Sequence, residues 1–98
     1  MNLEGKLLIG QQAISGQQAD IQAVNPATGE KLSPAYPGGS KAEVEQACAL
    51  AEAAFDSYRE TGLEARATFL ETIAAEIEGI GDELVERAMA ETGLPRPR

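Results

Sequence analysis

The spacing of apolar and polar residues in the middle of the chain predicts one long amphipathic helix, over residues 41 to about 58. Ser40 and Glu43 fit a capping box at its start, in which each side chain satisfies a backbone amide of the first turn. Alanine is frequent on the apolar stripe and lets another element approach closely, so we expect this helix to be packed against. The stripe consists of Val44, Ala47, Cys48, Ala51, Ala54, Phe55 and Tyr58.

A second segment repeats the helical spacing from Leu63 to about Glu78. Thr61 and Glu64 offer a second capping box before it, and glycines at 79 and 81 are expected to break it. Its predicted apolar face consists of Phe69, Leu70, Ile73, Ala74 and Ile77.

A third helix is predicted from Asp82, whose side chain can serve as the N-cap. Gly93 and then Pro95 should stop this helix, in the order that is typical of helix C-termini. Its inner face is predicted to be Leu84, Val85, Ala88 and Met89.

Residues 1–38 lack helical spacing and predict short strands and turns. Pro26 and Gly29 suit a turn, since proline fixes its own φ and glycine takes positive φ without steric cost. Pro34 donates no ladder hydrogen bond, so we expect it at an edge or a break of the returning strand. The predicted strands are 6–9, 13–14, 19–24 and the returning 31–36.

The predicted fold is therefore mainly α with a small β hairpin region. The hairpin region is expected over 1–38, and three antiparallel-type helices with short connections over 40–94. Residues 95–98, Pro-Arg-Pro-Arg, are interpreted as the start of a truncated connection to a further part of a chain.

Charge and composition exclude several classes of partner. Sixteen acidic against eight basic residues give a net charge of -8. Phosphate backbones and anionic membranes are bound by clustered Lys and Arg, so we expect neither nucleic acid nor a membrane as a partner. A single cysteine cannot form an internal disulfide, which is typical of the cytoplasm, and the sequence shows no signal peptide or membrane span.

The sequence offers little reactive chemistry. Cys48 is the only thiol, histidine is absent, and the place of Cys48 on the apolar stripe predicts a buried and unreactive side chain. The chain has no zinc ligand set and no calcium loop. Gly38 and Gly39 precede a helix but do not form a dinucleotide fingerprint. We therefore predict no catalytic, cofactor-binding or metal-binding residue, and interpret the paired glutamates of the later helices as a solvated face.

Three stretches carry a family resemblance. The segment from Asn25 to Glu30 (Asn-Pro-Ala-Thr-Gly-Glu), followed by the Ser40 helix, resembles the N-terminal segment of the NAD(P)-dependent aldehyde dehydrogenase superfamily. Arg66 and Leu70 match the second helix of that segment. The Glu-Thr-Gly-Leu-Pro stretch at 91–95 is similar to the family's Glu-x-Gly-Lys-Pro, with leucine in place of lysine. The closest branch is the one that oxidises α-ketoglutaric semialdehyde (2,5-dioxovalerate).

The resemblance implies that this chain is one piece of a longer parent with an α/β fold. Family enzymes are several times longer, and their catalytic thiol, glutamate base, oxyanion asparagine and cofactor-binding strands lie downstream of the last matching stretch. It implies that the three helices pack on the cofactor-binding domain of a homo-oligomeric parent that uses NAD or NADP and a small aldehyde. This chain alone is then expected to bind no cofactor.

Two other hypotheses compete with the enzyme-segment interpretation. The chain could be a stand-alone helical module that binds a partner through the alanine-rich face of its first helix. It could also be a remnant of an enzyme with only a structural role. The reading frame after Arg98 would separate these hypotheses.

Overall fold

The computed structural model describes residues 2–97, and it confirms the predicted order of short strands followed by three helices. Roughly half of the chain is helical. The strands are β1 (Leu7–Ile9), β2 (Gln12–Ile14), β3 (Asp20–Ile21) and β4 (Tyr36–Pro37), and the helices are α1 (Lys41–Arg59), α2 (Leu63–Gly79) and α3 (Gly81–Thr92).

The strands form two small antiparallel sheets, β1–β2 and β3–β4. In the second sheet Ile21 pairs with Tyr36, and nearer the turn a single bridge joins Val24 to Lys31. The register shifts by two residues between these pairs, in the stretch that contains Pro34. Pro34 therefore lies in a break of the returning strand, as expected from its missing N–H.

Helix α1 begins with the predicted capping box. The Ser40 hydroxyl accepts a hydrogen bond from the Glu43 amide at 3.2 Å, and the Glu43 carboxylate accepts one from the Ser40 amide at 2.7 Å. The reciprocal bonds satisfy two backbone donors that the helix leaves unpaired.

The predicted capping box of α2 is wrong. Gly62 is the N-cap, and no side chain accepts a bond from the first turn. The Thr61 hydroxyl instead donates to the Ser57 carbonyl at 3.4 Å, because Thr61 still belongs to the last turn around the end of α1. Glu64 therefore has no reciprocal cap partner.

The predicted N-cap of α3 is also wrong. Helix α2 continues through Gly79, Ile80 alone separates the two helices, and α3 begins at Gly81. Asp82 thus lies inside the first turn, and its carboxylate is 3.4 Å from Nη1 of Arg96. The predicted stop is confirmed: Gly93 has φ of 72° and donates its N–H to the Met89 carbonyl.

The three helices do not form a packed bundle. Within residues 2–97 no helix packs along the length of another. Among these residues, the one extended contact between a helix and a strand joins α1 to β1. The structure measures 49 × 35 × 19 Å, and its shortest dimension is less than two helix diameters, so the chain forms essentially one layer. The expected antiparallel helix arrangement is therefore corrected to a chain of helices in a thin slab.

A thin slab cannot bury its apolar faces. Among the described apolar side chains only Ile9 is buried, whereas Phe69 and Leu70 on the α2 face are 50% and 56% exposed. The radius of gyration is 17.0 Å, against about 13 Å for a globular domain of this length. The prediction of a buried Cys48 is wrong for this chain: Cys48 is exposed, because β1 covers only part of the α1 stripe.

Candidate functional site

The main concave feature is an apolar groove between β1 and α1, with a volume of about 310 Å³. Two glycines allow the strands to approach the helix closely. A Cβ on Gly39 would lie 3.1 Å from Cδ1 of Leu7, and one on Gly10 would lie 3.1 Å from Cδ1 of Leu50. The groove is lined by Leu7, Leu8, Ile9, Gly39, Glu43, Val44, Ala47 and Cys48.

The groove has the chemistry of a packing surface and not of a reaction centre. Glu43 is its single charged residue, and the Glu43 carboxylate is engaged with the Ser40 amide. Cys48 has no histidine to act as a base anywhere in the chain. The arrangement can bind apolar side chains but provides no activated nucleophile.

A second cluster holds the corner between α1 and α2. Nη2 of Arg66 donates to the carbonyls of Tyr58 and Arg59, both at 3.1 Å, and so satisfies acceptors at the end of α1. The guanidinium also lies 5.2 Å from the centre of the Tyr58 ring, and that ring meets Phe69 edge-to-face with centroids 6.1 Å apart. Arg66 therefore fixes the direction in which α2 leaves α1.

A third cluster ties α3 to the loop that returns from the hairpin. Nη1 of Arg87 donates to the Ser33 carbonyl, and Nε lies 2.7 Å from the Glu91 carboxylate. At the end of the same helix, a Cβ on Gly93 would lie 3.1 Å from Cγ of Pro26. The bonds of Arg66 and Arg87 to carbonyl oxygens were not predicted, because backbone acceptors carry no residue-specific signal in a sequence; the i, i+4 spacing of Arg87 and Glu91 could have indicated their ion pair.

An ion pair near the N-terminus shifts the pKa of one carboxyl group, that of Glu4. The Lys6 ammonium, 2.8 Å from the Glu4 carboxylate, donates a hydrogen bond to it and lowers the pKa of Glu4 below its ordinary value through that bond and through its charge. In residues 2–97 no group of three or more His, Cys, Asp or Glu side chains could hold a metal ion. In the same residues no helix is long and apolar enough to cross a membrane.

The start of α1 does not fit the pyrophosphate of a dinucleotide. A helix N-terminus binds anions through its free amides. Here the Glu43 carboxylate already occupies the Ser40 amide, and the Ser40 hydroxyl accepts from the Glu43 amide. The Ser40 and Glu43 amides at this helix start are therefore not available to the pyrophosphate of NAD or NADP.

Comparison with known proteins identifies the family. The sequence model of the aldehyde dehydrogenase family matches residues 13–98. The chain belongs to the aldehyde dehydrogenase family, as the resemblance of its motifs indicated. No solved structure matches the chain significantly.

Similar proteins include two α-ketoglutaric semialdehyde dehydrogenases. The chain is 50% identical to alpha-ketoglutaric semialdehyde dehydrogenase 2 of Azospirillum brasilense over 99 aligned residues, which cover 100% of this chain and 19% of that protein. It is 35% identical to alpha-ketoglutaric semialdehyde dehydrogenase of Acinetobacter baylyi, over 96% of this chain and 18% of that protein. A succinate semialdehyde dehydrogenase of Escherichia coli K12 is 36% identical over 74% of this chain. The chain thus spans about a fifth of the length of the two α-ketoglutaric semialdehyde dehydrogenases.

Proposed function

We propose that this chain is the N-terminal structural segment of an oxidoreductase that oxidises an aldehyde to a carboxylate with NAD or NADP. The substrate that we propose is α-ketoglutaric semialdehyde. The supporting observation is the 50% identity, over the whole chain, to a protein named for that activity. The aldehyde carbon gives up a hydride to the nicotinamide and gains an oxygen from water.

This segment contributes to the structure of such an enzyme and not to its chemistry. Domains are built from at least two packed layers, and this chain supplies only one. The chain has no histidine, and its one thiol, that of Cys48, lies in an apolar groove, so we place the reacting groups in the remainder of the parent. We further propose that α1, α2 and α3 pack on the cofactor-binding domain of that parent, a homo-oligomer in the cytoplasm.

A stand-alone interaction module is the second candidate. The exposed stripe of α1 favours it, since Phe55 is 62% exposed and Tyr58 47% exposed. Such a module would bind its partner without any catalytic activity. Sequencing of the reading frame beyond Arg98 separates the candidates, because only the first requires a continuing chain.

The test of the proposed activity uses the protein encoded by the whole reading frame. That protein should reduce NAD or NADP when given α-ketoglutaric semialdehyde, with a higher kcat/KM than for succinate semialdehyde. An active protein that prefers another aldehyde would overturn the substrate. A correctly folded protein that oxidises no aldehyde would overturn the function.

The 98-residue chain alone should give no turnover in the same assay and no saturable cofactor binding by calorimetry. The reason is chemical: the chain has one thiol and no histidine, and the Glu43 carboxylate occupies the Ser40 amide at the start of α1. The Cys48→Ser variant serves as the control. Turnover by the chain that this substitution abolishes would make Cys48 a nucleophile and contradict the prediction.

A further inference from the structure

The β1–α1 groove is apolar like a protein interface, but its side chains are left exposed. Its lining is apolar, yet Leu8 is 82% exposed and Val44 58% exposed. The side chain of its one charged residue, Glu43, is already bonded at the start of α1. A segment that fills the groove therefore meets apolar side chains and one carboxylate that already accepts from the Ser40 amide, and an uncharged apolar segment is the one that docks there with the smallest desolvation penalty.

The amount of uncovered surface indicates a large partner. The accessible surface of 7781 Å² exceeds the value expected for a folded protein of this mass by about 2,400 Å². A standard protein–protein contact covers only about 800 Å² on each partner. A second copy is opposed at low salt by repulsion, since each copy carries a net charge of -8. About four-fifths of the length of the two α-ketoglutaric semialdehyde dehydrogenases lies outside the matched part. A stretch of that length is ample to cover the exposed surface of this chain.

We propose that the β1–α1 groove is the docking site for an uncharged, apolar segment from the downstream part of the same polypeptide. This inference rests on the proposed function, since it takes the chain to be one part of a longer enzyme. The docked segment packs against Val44 and Ala47 and covers Cys48. Cys48 is thus exposed in the 98-residue chain and buried in the parent.

Thiol labelling tests this directly. The protein from the whole reading frame is treated with iodoacetamide, and the modification of Cys48 is followed by peptide-resolved mass spectrometry, which separates it from other cysteines. A buried thiol reacts only through local opening, so labelling of Cys48 should be at least about 100-fold slower than in the urea-unfolded protein. In the 98-residue chain at high dilution, Cys48 should be labelled within about tenfold of the unfolded rate.

A matched control uses the charged side of the same helix. The Glu45→Cys variant, made in a Cys48→Ala background, places the thiol where the native side chain is 68% exposed. A glutamate position of this kind stays in water in the parent, so this thiol should label rapidly there.

The outcomes are distinct from those of the activity assay. Protection of Cys48 with rapid labelling at position 45 supports the docking site. Rapid labelling of Cys48 in a folded, active parent overturns the docking site and leaves the proposed function intact. Protection of Cys48 in a parent that oxidises no aldehyde overturns the proposed function alone. Equal protection in the dilute 98-residue chain also overturns the docking site, because the chain would then cover its own groove.

Discussion

Arg66 is the side chain on which the α1–α2 corner depends. Replacing it by alanine removes both hydrogen bonds to the end of α1 and the contact with the Tyr58 ring. Hydrogen bonds from charged groups contribute about 1.5–3 kcal/mol, so amide exchange across residues 58–66 of Arg66→Ala should accelerate about tenfold or more.

Arg59→Ala is the matched control for that change. Arg59 is an exposed arginine at the same corner, paired with Asp56 at 3.2 Å and stacked on Phe55. Exposed ion pairs contribute about 0–1 kcal/mol, so amide exchange across residues 58–66 of Arg59→Ala should accelerate severalfold at most. Equal acceleration of amide exchange in Arg66→Ala and Arg59→Ala would show that Arg66 does not stabilise this corner specifically.

Cys48→Asp should have opposite consequences in the two contexts of the chain. In the 98-residue chain Cys48 is exposed, so the substitution should alter helix stability by no more than about 0.5 kcal/mol, judged from far-UV circular dichroism during urea unfolding. In the whole protein the docked groove would hold an unpaired charge, and soluble yield should fall sharply. Similar tolerance in both contexts would contradict the burial of this site.

The apolar stripe of α1 shows how much the spacing of residues in a sequence can predict. The stripe of α1 predicted a face that another element packs against, but it could not tell whether this chain supplies that element. Cys48 was expected to be buried on that basis and is exposed. The bonds that Arg66 and Arg87 make to backbone carbonyls escaped prediction, because such acceptors leave no signature in the sequence.

Among the elements, α1 depends most clearly on its capping box. Ser40→Ala removes the acceptor for the Glu43 amide and should cost about 1 kcal/mol, seen as faster amide exchange in the first turn of α1. Ser57→Ala is the control, because the Ser57 hydroxyl donates only to the Ala54 carbonyl within the exposed helix. That variant should retain or slightly gain helix content. A first turn that exchanges no faster in Ser40→Ala would contradict the role of the cap.

Local sequence determined α1 more fully than the other helices. Its start was predicted at Lys41 because the cap, the stripe and the helix propensity agree there. The start of α2 was also predicted correctly, at Leu63, although its predicted cap was wrong, and α3 begins at Gly81, one residue before its predicted cap. At α2 no side chain caps the first turn, and Arg66 of that turn bonds the end of α1 instead; at α3 the connection is a single residue, Ile80.

At the scale of the molecule, the exposed faces should make the isolated chain self-associate. Hydrophobic dye binding and sedimentation should show association that increases with added salt, because salt screens the repulsion between copies of charge -8. The paired substitution Phe69→Lys and Ile73→Lys lies on the exposed α2 face and should reduce association while the helical spectrum is retained. A chain that stays monomeric at high salt and binds no dye would contradict this.

The single-layer shape of the chain could not be predicted from its sequence. The helices and strands follow from local spacing, caps and turns, whereas the absence of a second layer depends on which elements contact one another. Short connections suggested antiparallel packing, but α2 and α3 extend the layer instead of folding back on α1. The candidate site shares this limit, since the groove exists only where β1 meets α1.

The single-layer arrangement also has a consequence for biosynthesis. In a parent as long as the Azospirillum protein, ribosomes moving at 5–20 residues per second need about 20–80 seconds to finish the chain after this segment emerges. During that interval the segment has its helices but nothing to cover them. The nascent polypeptide would then expose the apolar faces of a single layer of helices, the kind of surface that chaperones shield until translation ends.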